Sequence, residues 1–199
     1  MTEPHRQRTQ GLMAHPRESA FNRALFRLPH ILWRMGLGPL LGRRMLVLTT
    51  RGRRSGLPRY TLLEYGEVHG VYYLLSGWGD RADWVRNLQA DPQATIQTHA
   101  GTFDACARRV LDMDEFRRQM AFILAHGGDA YFRPWLRSLD IEYDLDDLIA
   151  KRDRVHLIAL EPTGGAPVLP TYRADLLWLW PVLALAFVLA GRLLQRPRC

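Results

Sequence analysis

The chain carries 27 basic residues, yet Lys151 is its only lysine. Its positive charge is therefore arginine, whose planar fork grips a phosphate or carboxylate with two hydrogen bonds. Cysteine is also scarce. Cys106 and Cys199 form no C-x-x-C and no disulfide framework. The seven histidines are scattered and include no H-E-x-x-H, so no built-in metal site is expected. A G-x-x-x-x-G-K-[ST] phosphate loop is absent. So are helix-turn-helix, RNP and zinc-finger signatures, and nucleic acid is not an expected partner despite a formal net charge of +7. The first eleven residues lack the apolar stretch of a secretory signal, so a cytoplasmic, reducing setting is expected.

The 199 residues are 47% hydrophobic, enough for one domain of ordinary size with appendages. Four parts are expected: a flexible basic lead over 1–18, a domain over 19–162, a Gly/Pro-containing linker over 163–173, and an apolar tail over 174–199. Ser19 is placed to cap a helix over Ala20–Met35, kinked by Pro29. Strand-like runs follow at Met45–Thr50, Arg59–Tyr65 and Val68–Ser76, with a hairpin connection at Gly66–Glu67. Asp80 is placed to cap a short helix ending near Gln89. Two more strands, Ala94–His99 and Thr102–Val110, join at Ala100–Gly101. Asp112 and Glu115 form a D-x-x-E box opening a helix to His126, stopped by Gly127–Gly128. A helix over Ala130–Ser138 and a last strand at Val155–Leu160 complete the domain. Strands arriving in pairs do not make βαβ units, so an antiparallel sheet closed as a barrel is expected.

Chemistry concentrates in two places. The run Thr49-Thr50-Arg51-Gly52-Arg53-Arg54-Ser55-Gly56-Leu57-Pro58-Arg59 holds four arginines and two glycines. Backbone N–H groups and guanidinium forks together make an anion cradle; a solvated basic turn has the same composition. The second place is Ser76-Gly77-Trp78-Gly79-Asp80, a strand end opening onto a helix start, with Trp84 and Asn87 one turn apart beyond it.

In these two blocks the chain resembles the deazaflavin-dependent nitroreductase and quinone reductase family. The first block matches G-R-[KR]-[ST]-G-x-P-R after a threonine-ended strand. The second matches W-x-x-N-L-x-A-[ND]-P, here Trp84-Val85-Arg86-Asn87-Leu88-Gln89-Ala90-Asp91-Pro92. The resemblance covers about residues 40–162. It implies an α+β fold, an antiparallel split β-barrel with flanking helices, which here gains a C-terminal hydrophobic helix. It also implies deazaflavin coenzyme F-420 as cofactor, with FMN as the alternative that such barrels admit. By the resemblance, Arg53, Arg54 and Ser55 meet the cofactor's phosphate and glutamate tail, and Arg59, Tyr60, Thr61 and Leu62 continue that wall. Leu75, Ser76 and Gly77 lie along the ring, and Trp84, Val85, Arg86 and Asn87 close the pocket. Ser76 and Tyr131 are the candidate catalytic residues. Some relatives carry lysine after the strand-end serine, where this chain has Gly77. The implied activity is hydride transfer from reduced F-420 to a quinone, nitroaromatic or similar acceptor; the alternative is a non-catalytic deazaflavin- or flavin-binding protein.

The tail contains an unbroken apolar run, Leu176–Gly191. As a helix it spans about 24 Å, against roughly 30 Å of hydrocarbon. It is expected either to span a membrane or to lie in the interface, with lipid as partner, placing the protein at the cytoplasmic face of the cell membrane. Pro181 is expected to kink it.

Overall fold

Only Tyr65 separates strand β2 (Pro58–Glu64) from strand β3 (Gly66–Val68), yet these strands form opposite edges of one seven-stranded sheet of order β2-β1-β5-β6-β7-β4-β3. A one-residue link between two edges is possible only if the sheet curls until they meet. That is the geometry of a barrel. The other strands are β1 (Met45–Arg51), β4 (Val71–Ser76), β5 (Gln93–Thr98), β6 (Gly101–Arg109) and β7 (His156–Pro162). Every pairing is antiparallel. The structure is a computed structural model, and it describes residues 27–77, 79–126 and 129–194. The 1–18 lead, the Ser19 cap, Trp78 and the Gly127–Gly128 stop lie outside the described residues.

Alternation divides the strands between two cores. Leu46 and Leu48 of β1, Tyr72 and Leu74 of β4, Ile96 of β5, Ala105 of β6, and Ile158 and Leu160 of β7 face inward together. Helix α3 (Asp83–Ala90) adds Trp84, Val85 and Leu88 to this cluster. On the other face of β4 and β7, Tyr73, Leu157 and Ala159 pack under helices α4 (Met113–His126), α5 (Asp129–Ser138) and α6 (Leu145–Ala150). The split-barrel, α+β expectation stands.

Several boundaries differ from those expected. The tight turn is at His69–Gly70, not Gly66–Glu67. Both residues have positive φ, 52° and 79°, as a two-residue hairpin matching strand twist requires. The expected third strand is thereby cut into β3 and β4. Asp80 does not open α3. A single 3-10 turn, Gly79–Arg81, intervenes, and Ala82 is the cap residue. Asp112 does cap α4, its carboxylate accepting from Glu115 N at 2.7 Å, but Glu115 turns to Arg108 and Tyr73 rather than back to the cap. Helix α6 was not expected; Asp144 caps it by accepting from the N–H groups of Asp146 and Asp147.

The amino-terminal helix α1 is described from residue 27. It passes into a wide turn, Trp33–Leu37, breaks at Gly36 with φ 90°, and hands over to α2 (Gly38–Leu41). The segment expected as a linker lies against the outer face of the sheet. Leu169 N donates to Thr95 Oγ1 at 3.1 Å, and Gln97 exchanges hydrogen bonds with the Tyr172 backbone. The chain then meets α1: Leu176 N donates to Arg34 O, and Arg34 and Asp175 form an ion pair at 2.6 Å.

The apolar tail forms α7 (Leu179–Leu194), 16 residues. No described helix is long and apolar enough to cross a membrane. The first apolar residues, Leu176–Trp178, are spent in a turn docked on α1, which corrects the expectation of a transmembrane helix. Pro181 falls in the first turn, where its missing N–H costs no helical hydrogen bond.

Candidate functional site

The Arg51–Arg59 loop is built around Gly52. Its N–H donates to Leu57 O at 2.9 Å, and its carbonyl accepts from Ser55 N and Gly56 N. A Cβ at Gly52 would stand 2.9 Å from Ser55 Oγ and 3.0 Å from Leu57 O, so only glycine lets the loop close this tightly. Gly56 takes φ 67°, a conformation that glycine adopts without steric cost.

The four arginines have different tasks. Arg53 is held by α3: its Nη2 donates to Asp83 Oδ1 at 3.0 Å, and its backbone N and Nη1 both donate to Asn87 Oδ1. Arg51 pairs with Asp91 at 3.0 Å. Neither keeps its full charge for a ligand. Arg59 Nη2 donates to Ser55 Oγ at 3.3 Å, as does Leu57 N. With two donors directed at that oxygen, the Ser55 hydroxyl hydrogen remains available to an acceptor. Arg54 is exposed and makes no hydrogen bond or ion pair with any described residue. The anion-facing set therefore reduces to Arg54, Arg59 and Ser55, with Arg53 as the pin behind it.

Asn87, buried on α3, brings the two sequence blocks together. Its Nδ2 donates to Thr50 Oγ1 at 3.0 Å while its Oδ1 receives Arg53. Trp84 and Val85 are buried in the inner core beside it, and Arg86 is exposed.

The strand residues expected as two continuous walls are divided by the pleat. Arg59 and Thr61 lie opposite Thr50 and Leu48 on the inner side. Tyr60, opposite Thr49, lies on the outer side, where its ring meets Tyr172 at 4.8 Å. Leu62 shares that side by alternation. Likewise Leu75 packs in the α4–α6 core, whereas Ser76 follows Leu74 and Tyr72 inward. No hydrogen bond joins Ser76 to the arginine loop among the described residues. Ser76 is 3% exposed, and its Oγ has no hydrogen-bond partner among the described residues. A buried hydroxyl without a partner costs stability, so the position is suited to a group supplied by a ligand.

Gly77 is enclosed. A Cβ there would lie 2.7 Å from Trp135 Cζ2 and 2.9 Å from Leu139 Cδ1, both on the α5 side. Gly79, with φ 49°, runs past the His156 ring. His156 is buried directly opposite Ser76 in the β4–β7 pairing. Neither Trp135 nor His156 was singled out from the sequence. A polar residue interrupting the apolar run Val155–Leu160 was the available signal for His156. Tyr131 lies within α5, and its side chain is outside the described residues. No cluster of metal-ligating side chains occurs among the described residues.

The model of the F420H(2)-dependent quinone reductase family matches residues 35–129. The two sequence motifs fall inside that span. No curated protein sequence matches the chain. Among solved structures the chain is similar to an F420-H2 dependent reductase termed FDR-A, with 21% identity, 60% of this chain and 95% of that one covered, and a TM-score of 0.43. It is also similar to HutZ, a heme storage protein of Vibrio cholerae, with 22% identity, coverages of 69% and 90%, and a TM-score of 0.43. A third is a putative 5-nitroimidazole antibiotic resistance protein of Bacteroides thetaiotaomicron, with 15% identity, coverages of 66% and 79%, and a TM-score of 0.44.

Proposed function

We propose that this chain, matched over residues 35–129 by the F420H(2)-dependent quinone reductase family, binds coenzyme F-420 beside the Arg51–Arg59 loop and reduces a quinone-type acceptor at the cytoplasmic face of the cell membrane. The observation that carries the reading is the division of labour in the loop. Two arginines are neutralised by Asp83 and Asp91, while Arg54 and Arg59 keep their charge beside the Ser55 hydroxyl. That is a preformed receptor for an anionic cofactor tail rather than a uniformly solvated basic turn.

The residues present fit the cofactor. Gly52 leaves room where a side chain would fill the cradle, and the buried Ser76 Oγ, without a partner among the described residues, offers a hydrogen bond deeper in the fold. When bound, the deazaflavin supplies a hydride, because carbon stands where a flavin has its reactive nitrogen. The protein's part is to position and to exclude water. Arg54, Arg59 and Ser55 bind the tail. Asn87 and Arg53 hold the loop at its distance from α3. Ser76 orients a carbonyl of cofactor or acceptor, and Tyr131 is the proposed proton donor to the reduced acceptor.

The test is a fluorescence titration of the folded chain with F-420, followed by anaerobic oxidation of the reduced cofactor by a short-chain naphthoquinone. Saturable micromolar binding followed by quinone-dependent oxidation is expected. No binding by folded protein overturns the reading. Binding without turnover selects the non-catalytic carrier, and tighter binding of FMN selects a flavoprotein.

A further inference from the structure

We propose that α7, together with the end of α1 to which it is tied, embeds in one leaflet of an anionic bilayer and holds the barrel at a fixed attitude to it. This rests on the membrane part of the function proposed above and assigns it a surface. Val182 is 51% exposed, Leu185 60% and Phe187 82%. At about 100° per residue Val182 and Leu185 share one side of the helix, Phe187 lies nearly opposite Leu185, and the half-exposed Leu183 lies to the side of Val182 nearer Phe187, so apolar side chains face solvent around most of the helix. A protein partner would bury one apolar stripe; a helix apolar on all sides requires an apolar solvent. At about 24 Å, α7 is too short to cross the hydrocarbon but fits obliquely within a leaflet. Trp178 and Trp180 stand exposed at its start, where tryptophans favour the headgroup level.

Charge complementarity selects the lipid. No acidic residue occurs from Arg27 through Leu63, nor from Leu176 to Cys199. Arg27, Arg43 and Arg44 are exposed around α1 and α2, and Leu28 and Ile31 expose an apolar edge of α1 beside them. Anionic headgroups satisfy both features, because each nearby arginine adds to the attraction.

The tie to the barrel is specific. Trp180 Nε1 donates to Met35 O at 2.7 Å, Arg34 binds both oxygens of Asp175, and Leu177 packs against Gly36. Earlier in the same segment, Tyr172 is bonded to Gln97 and its ring lies against Tyr60. Tyr60 belongs to β2, the strand that continues from the arginine loop. The bilayer's orientation is therefore passed to the cofactor loop through packed contacts, and a lipid-soluble acceptor would approach from a fixed side.

The experiment is flotation of the full chain with vesicles of phosphatidylglycerol and phosphatidylcholine, against phosphatidylcholine alone. Flotation with the anionic vesicles is expected, several-fold above the zwitterionic ones. Val182→Glu combined with Phe187→Glu is expected to lower partitioning at least tenfold while F-420 titration in vesicle-free buffer is unchanged. Tryptophan emission should be quenched by lipids brominated near the headgroup, and that quenching should be lost with Trp178→Phe and Trp180→Phe. Wild-type protein that stays unbound, a variant that floats equally, or a dimer that the glutamates dissolve overturns the proposal, the last identifying a second copy as occupant. Loss of F-420 binding with flotation intact overturns the functional reading alone.

Discussion

Asn87 and Thr50 are joined by a 3.0 Å hydrogen bond between a buried helix amide and the hydroxyl at the end of β1. The same amide's oxygen receives Arg53. One side chain thus ties the loop that would grip a cofactor tail to the helix that packs its tryptophan into the barrel. The two sequence blocks are a single structural unit through this residue.

Asn87→Ala leaves the Thr50 hydroxyl and the Arg53 backbone N–H without their partner. A cost of about 1–3 kcal/mol is expected, read as a lower urea midpoint with unchanged slope. Asn87→Asp keeps an acceptor for Arg53, and the Thr50 hydroxyl can turn to donate to it, so the loss should be smaller. Equal losses would show that Asn87 fills space rather than pinning the loop.

Arg53 and Arg54 are neighbours with different expected phenotypes. Arg54→Ala removes an exposed side chain with no partner among the described residues, so stability should stay within about 0.5 kcal/mol while F-420 affinity falls. Arg53→Ala should lower both, because it removes the guanidinium that joins the loop to Asp83 and Asn87 on α3. Thermal unfolding and cofactor titration on the two variants separate these outcomes. Unchanged affinity in Arg54→Ala would remove that residue from the binding set.

Glu115 supplies a pH dependence unrelated to the site. The Arg108 guanidinium, bonded to both its oxygens, holds its carboxyl below the ordinary range; burial opposes this and the Tyr73 hydroxyl assists. A carboxyl depressed on folding stabilises the protein above its unfolded pKa, near 4.5, and that contribution is lost as pH falls toward the folded value. Glu115→Gln should therefore cost about 1–3 kcal/mol at pH 7 and flatten the stability profile below pH about 4.5. Parallel profiles for the two proteins would locate acid sensitivity elsewhere.

The strands were legible because their apolar, β-branched runs are long and punctuated. The split of the third strand was not, since His69–Gly70 lacks the usual Asn-Gly or Asp-Gly turn signal. Motif reading placed Asn87 near the loop but could not say that Arg53 is consumed by Asp83; that depends on where α3 sits. Contiguous residues such as Arg59 to Leu62 were read as one wall, although the pleat sends alternate side chains to opposite faces. The strap over β5 read as a linker because its contacts are mostly backbone to side chain, which no apolar pattern announces.

Gly77 follows the strand-end Ser76, and the structure gives a physical reason for glycine here. A Cβ would enter the space of Trp135 and Leu139, at 2.7 and 2.9 Å. Accommodating it requires α5 to shift or the indole to leave its place, an overpacking cost of about 1–3 kcal/mol. Gly77→Ala should therefore destabilise the wild-type chain by that amount. In a Trp135→Leu background the same change should cost less, because the indole atoms at 2.7 and 3.0 Å are gone and only the flexible end of Leu139 remains in the way. A thermodynamic cycle from the four urea midpoints measures the coupling. A coupling near zero would mean that the loop after Ser76, rather than the indole, makes room, and that a longer side chain at position 77 is compatible with this fold.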